Sequence, residues 1–223
     1  MPSLDETAAG QGASATESGA RAAVERLTIR QLAAERMAKA DGDQKFLKAG
    51  DRAPHFELPD LSGVAVSSAE LLQAGPLVVT FYRGLWCPFC QKDIEGIEAS
   101  AEAIKLAGAS VLAVCRQNTI RASAVDAAGR LSFPVLNDES GRVAVAFGLR
   151  WSDEELEALR DGYGASLVDF IGGENWILPM QARYVVGQDQ VVAYADVLFQ
   201  YDDSTDTVGL MSVIRDLSGE GAM

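Results

Sequence analysis

The chain has 223 residues, 48% hydrophobic and 23% charged, which is the composition of a soluble globular protein with room for one domain plus extensions. Its 19 basic and 32 acidic side chains leave a formal net charge of −13, which argues against a nucleic-acid backbone or an anionic membrane as main partner. No apolar run approaches the roughly 20 residues that span a bilayer, and three cysteines are too few for a secreted disulfide scaffold.

The N-terminus, MPSLDETAAGQGASATESG, has neither a basic n-region nor an apolar h-region. No secretory signal is expected, and a reducing cytoplasm is the expected compartment. Residues 1–20 hold almost no large apolar group and read as a disordered tail. Residues 21–47 form a helical extension in which Val24, Leu27, Leu32 and Met37 make a loose apolar stripe. The main domain covers residues 48–218. It opens with a turn-rich entry, KAGDRAPHFELPDLSGVAVSSAELL, holding a short hairpin near Gly63. Leu77 to Tyr82 is a continuous apolar run suited to a strand buried on both faces. Cys90 to Leu106 carries Ile94, Ile97, Ala101 and Ile104 at helical spacing, with Gly108 as C-terminal cap. Ser110 to Cys115 is a second strand, and Thr119 to Ala128 a helix ending at Gly129. LSFPVL and SGRVAVAFGL read as a short strand and a short helix. Ser152 and Glu155 form a capping-box pattern at the head of SDEELEALRDGY. ARYVVGQDQVVAYADV is a hairpin around Gly187 to Gln190, and a last helix lies near Val208 to Leu217. Alternating strands and helices imply an α/β fold with a mixed sheet.

Two cysteines sit in PLVVTFYRGLWCPFCQKDIEGIE, where a strand runs into a tight loop and then a helix. Pro88 suits the first helical turn, where its missing N–H costs nothing. Cys87 then lies at a helix N-terminus, where free N–H groups and the dipole favour the reactive thiolate. Cys90 follows one turn later on the same side. Arg83 is a candidate source of positive charge, and Trp86 and Phe89 would shield the site. A structural zinc site needs four ligands, whereas the chain offers one C-x-x-C, a distant Cys115 and a single histidine, His55. Two inert buried cysteines remain an alternative, although the helix-start position and Pro88 count against it. Redox chemistry is the reading these residues favour.

FYRGLWCPFC resembles the thioredoxin-fold peroxiredoxin-like family, the branch related to alkyl hydroperoxide reductase and thiol-specific antioxidant proteins. AGDRAPHFELPDLSG, FPVLNDESGRVAVAFGL and LPMQARYVVGQDQVVAYADV resemble its entry segment, its acidic turn and its late hairpin, in the right order. The resemblance covers about Lys48 to Leu217. It implies a thioredoxin-like fold: a central mixed sheet flanked by helices, here with an N-terminal helical extension. It also implies an antioxidant oxidoreductase with a redox-active disulfide, acting on a peroxide or a disulfide and reset by a dithiol such as a thioredoxin-like protein. It implies no metal or other cofactor, and a capacity to form homodimers. Peroxide-reducing relatives carry proline seven residues and a hydroxyl residue three residues before the attacking cysteine; here Thr80 and Gly84 stand there. The late strand supplies their peroxide-site arginine. Arg183 lies in that neighbourhood, but Gln181 holds the matching position. Pro179 is the candidate for the proline that faces the C-x-x-C in thioredoxins, with Gln181 as the other register.

Cys115, at the end of its strand, reads either as a small buried residue or as an auxiliary thiol on the edge of the sheet where Cys87 emerges. His55 reads as a surface loop residue, and Asp138 with Glu139 as a solvated turn. The rival function is a non-catalytic interaction protein of the same fold, binding through its N-terminal helix or through YGASLVDFIGGENW. In that segment Phe170 and Trp176 either line a substrate groove or cover the core, and core cover is the expected role.

Overall fold

The structure, a computed structural model, describes residues 46–84, 88–116, 131–149, 179–197 and 207–219. The expected tail, N-terminal helix, helix at Thr119–Ala128, SDEELEALRDGY helix and YGASLVDFIGGENW segment lie outside the described residues.

The entry forms an antiparallel pair, β1 (Glu57–Pro59) with β2 (Ala65–Ser67), around the predicted turn. Asp60 organises that turn: its Oδ1 accepts from the backbone N–H groups of Ser62 and Val64, each at 2.9 Å. Helix α1 (Ser68–Ala74) follows directly, and the sequence reading had assigned no helix there. Ser67 caps it by accepting from the Glu70 N–H, so the Ser-x-x-Glu spacing of a capping box was the available signal.

Strand β3 (Leu77–Phe81) is buried at every position and sits at the centre of a five-stranded sheet. It pairs in parallel with β4 (Ser110–Cys115) and antiparallel with β6 (Ala182–Val186). Beyond these, β5 (Val135–Asn137) borders β4 and β7 (Val192–Val197) borders β6, so the order is β5-β4-β3-β6-β7. The period of two divides β3 between two cores. Leu77, Val79 and Phe81 face Leu58, Leu72, Val143 and Phe147, with Phe147 5.0 Å from Phe81 and 5.1 Å from Tyr184. Val78 and Tyr82 face the long helix α2 (Pro88–Leu106) and the last helix α4 (Thr207–Leu217) through Ile94, Ile97, Ile104, Leu210 and Ile214.

Helix α2 ends as the sequence suggested. Gly108, at φ 80°, lets its own N–H reach the Lys105 carbonyl and the Ala109 N–H reach that of Ile104, a Schellman closure. The short α3 (Arg142–Ala146) corrects the reading of Asp138 as solvated. Glu139 is exposed, but Asp138 is only 1% exposed. Its Oδ2 accepts from the N–H groups of Val143 at 2.9 Å and Ala144 at 3.0 Å, filling the donors that a helix start leaves unpaired. Burial raises the Asp138 carboxyl above the ordinary carboxylate range, with these hydrogen bonds acting the other way.

The loops before β3 and before β4 touch: Ser110 N–H donates to Pro76 O, and a Cβ placed on Gly75 would overlap the Gly108 carbonyl oxygen. Gly75→Ala therefore forces two backbones apart at the base of the central ladder. It is expected to cost about 1–3 kcal/mol, read as a lower urea midpoint, while the exposed Gly50→Ala at φ 94° loses only what its backbone strain dictates.

Candidate redox site

β3 delivers the chain through Tyr82, Arg83 and Gly84, the last at φ 138°, a conformation that glycine adopts without penalty. Leu85, Trp86 and Cys87 lie outside the described residues. Helix α2 then begins at Pro88, the residue expected to open it, and Cys87 immediately precedes it in sequence. Phe89 contributes its backbone to the first turn. Cys90, in that same turn, is a thiol with no exposed surface, packed in one core cluster with Tyr82, Ile94 and Cys115.

Strand β6 and the residue leading into it lie under this turn and present alternate side chains to it. The Cys90 thiol donates to Gln181 Oε1 at 3.9 Å. Two residues along β6, Arg183 Nη2 donates to Asp93 Oδ1 at 2.6 Å, with both side chains buried. Asp93 is one helical turn beyond Cys90. The period-3.6 helix and the period-2 strand thus meet twice, Cys90 on Gln181 and Asp93 on Arg183. Sequence reasoning missed Asp93. Its signal was a carboxylate inside the apolar stripe of Cys90, Ile94 and Ile97, where only a buried partner makes such a residue tolerable.

The other predicted supporting residues are distributed around this contact. Arg83 is fully buried at the end of β3. Thr80 pairs across the ladder with Arg183 and is fully buried. Its hydroxyl has no hydrogen-bond partner among the described residues. Pro179 is buried just ahead of β6, two residues before Gln181. Cys115 ends β4, level with the end of β3, and is buried without exposed surface. Burial pushes its thiol up to about 12; a hydrogen bond from Tyr82 acts against this and the charge of Asp138 reinforces it. His55 is exposed beside Gln190, away from these groups. Among the described residues, no three His, Cys, Asp or Glu side chains come together as a metal site requires.

A model of the AhpC/TSA family matches residues 49–195. The chain belongs to the AhpC/TSA family. It is accordingly a thiol-dependent oxidoreductase of peroxiredoxin type with a thioredoxin-like fold. It is 32% identical over 110 residues to peroxiredoxin Bcp of Escherichia coli K12, an alignment spanning 49% of this chain and 69% of that protein. It is also 32% identical over 111 residues to the thiol-disulfide oxidoreductase ResA of Halalkalibacterium halodurans, spanning 48% of this chain and 61% of that protein. The crystal structure of peroxidoxin BcpB from Mycobacterium tuberculosis superposes with a TM-score of 0.61 at 22% identity, covering 77% of this chain and 98% of that one, and so supports the fold. Among the described residues, no helix of this family member is long and apolar enough to cross a membrane.

Two measurements test the site. Removing one partner of the Arg183–Asp93 pair strands a buried charge, so Arg183→Met or Asp93→Leu alone should lower stability by about 3–5 kcal/mol, with the double replacement close to wild type, in urea unfolding. Because the folded Cys115 thiol titrates near 12 rather than 9.0, the folded protein keeps a proton that the unfolded chain releases. This contribution is neutral below the ordinary thiol value and lowers stability as pH rises through it. Native Cys115 should resist iodoacetamide at neutral pH and react only after denaturation, as peptide mapping would report.

Proposed function

We propose that the chain reduces peroxides through a Cys87–Cys90 dithiol–disulfide cycle. The observation that carries this is the opening of α2 at Pro88, with Cys90 held in the first turn, one turn from the residue that precedes the helix. The Cys87 thiolate attacks the terminal peroxide oxygen. The O–O bond breaks, the alkoxide leaves and takes a proton, and Cys87 becomes a sulfenic acid. Cys90 then displaces the hydroxyl as water, and the Cys87–Cys90 disulfide forms. An external dithiol protein of thioredoxin type supplies the two electrons and two protons that restore both thiols. No metal, flavin or nucleotide enters the cycle. Arg83, buried where the chain leaves β3, is the candidate source of positive charge for the site. The domain occupies 48–218, works in a reducing cytoplasm, and forms a homodimer.

A second reading, disulfide reduction, is favoured by one observation. The side chain against Cys90 is the neutral amide of Gln181, just ahead of β6, and the neighbouring Arg183 donates to Asp93 through Nη2. The residue against the thiol therefore carries no charge with which to orient a peroxide. In this version Cys87 attacks a substrate sulfur and Cys90 resolves the mixed disulfide.

The test compares hydrogen peroxide, an organic peroxide and a small disulfide with wild type, Cys87→Ser and Cys90→Ser. Wild type is expected to lose two hydrogens by mass after one equivalent of peroxide. Cys87→Ser should be inactive, and Cys90→Ser should stop at a sulfenic acid. An unmodified Cys87 in folded protein would sink the peroxide reading, and turnover with the small disulfide alone would put the second in its place.

A further inference from the structure

The contact between Cys90 and Gln181 joins a group that must change its hydrogen-bonding character to one able to follow it. A thiol donates, so at rest it needs an acceptor; the thiolate that attacks needs donors. A primary amide offers both, an oxygen on one side and two N–H groups on the other. Half a turn about its terminal bond exchanges them. The observed orientation serves the resting state, since Oε1 accepts from the thiol. Gln181 is 6% exposed and Cys90 has no exposed surface, so water has little access to either end of this contact.

The charged and titratable groups around it come from every packed element. Asp93 on α2 and Arg183 on β6 are paired with each other. Asp196 lies across from Arg183 on β7, and Lys92 is on the exposed side of α2. Tyr82 and Arg83 follow β3, and Cys115 ends β4 within the charge of Asp138.

We propose that Gln181 is the positioning residue of the resolving step: its oxygen holds Cys90 as a thiol at rest, and its Nε2 turns to the sulfur as the thiolate attacks. This rests on the Cys87–Cys90 cycle above. In that step the proton of Cys90 passes to the departing group and its sulfur bonds to the Cys87 sulfur. The group carried by Cys87 leaves with the bonding pair and takes that proton, as water from a sulfenic acid or as a thiol from a mixed disulfide. An arginine at 181 would serve only the thiolate, a glutamate only the thiol, and a methionine of similar size neither.

A chromogenic aromatic disulfide mixed with reduced full-length protein reads both steps without presupposing the natural substrate. The first thiolate released marks attack by Cys87. The second marks resolution, with peptide mapping to show the Cys87–Cys90 bond. Gln181→Met is expected to slow the second phase about tenfold, the loss of a hydrogen bond to a charged group, and to raise its pH midpoint, with the first phase unaltered. Gln181→Glu should raise the midpoint further and Gln181→Arg should lower it. A residue that only fills space would leave that order flat. Melting temperatures check folding, and the uncharged Gln181→Met decides the matter if a charged variant does not fold. Release of one thiolate only by wild type would overturn the cycle and this role together. Two thiolates from wild type, with the second phase unchanged in rate and midpoint in folded Gln181→Met, would overturn the role alone and leave the cycle standing.

Discussion

Strand β3 is enclosed on every side, and the remaining structure is arranged around that enclosure. β4 and β6 take its backbone hydrogen bonds, and two apolar cores take its alternate side chains. A strand in that position has one register in which both cores close, because a slip of one residue would exchange every side chain between faces. The register in turn fixes where the chain leaves the sheet, and hence where α2 must begin. The start of α2 at Pro88 is therefore set by the burial of β3. The contact of Gly75 with Gly108 belongs to the same constraint, since it brings the starts of β3 and β4 level.

The polar layer beneath α2 is the exception within this apolar frame. Burying an arginine and a carboxylate is costly, and an apolar pair of the same volume would often be as stable. What the pair supplies is definition. An apolar helix face tolerates sliding and rotation, whereas Arg183 on Asp93 at 2.6 Å admits one placement of α2 over β6. Gln181 meets Cys90 two residues away on the same strand face, so the ion pair also determines which side chain the thiol encounters. Aliphatic packing along Ile94, Ile97 and Ile104 holds the helix down, and the polar pair sets its azimuth and axial position.

The two described cysteines occupy distinct environments. Cys115 is sealed where burial keeps the thiol neutral, which suits a core residue and ill suits a nucleophile. Cys90 is equally inaccessible but faces an adaptable amide. Cys87 precedes the helix, whose unpaired N–H groups favour an anion. Family membership accounts for thiol-dependent oxidoreduction. The neutral Gln181 and the engaged Arg183 give this member a different balance of charge beneath its dithiol from the one that the peroxiredoxin resemblance led us to expect.

Much of this was legible in order and type of element. The buried run at Leu77, the stripe from Ile94 to Ile104, the Gly108 cap and the late hairpin are local patterns, and local patterns survive folding. The CPFC spacing and Pro88 similarly announced a helix opening on a cysteine. Helix α1 was overlooked although Ser67 and Glu70 carried its capping signature, because seven residues give periodicity little to work on. Asp138 looked like a solvated turn because a sequence shows an acid beside glycine and serine, and not the helix start that folds over it. Asp93 and Arg183 lie ninety residues apart, and no local pattern links them. The sequence by itself determined the main strands and the long helix that opens at Pro88, since each follows from neighbours along the chain. Only the tertiary structure decided that Gln181 meets Cys90, that Arg183 is engaged by Asp93 and that Cys115 is sealed, because burial and partnership are properties of the packed sheet.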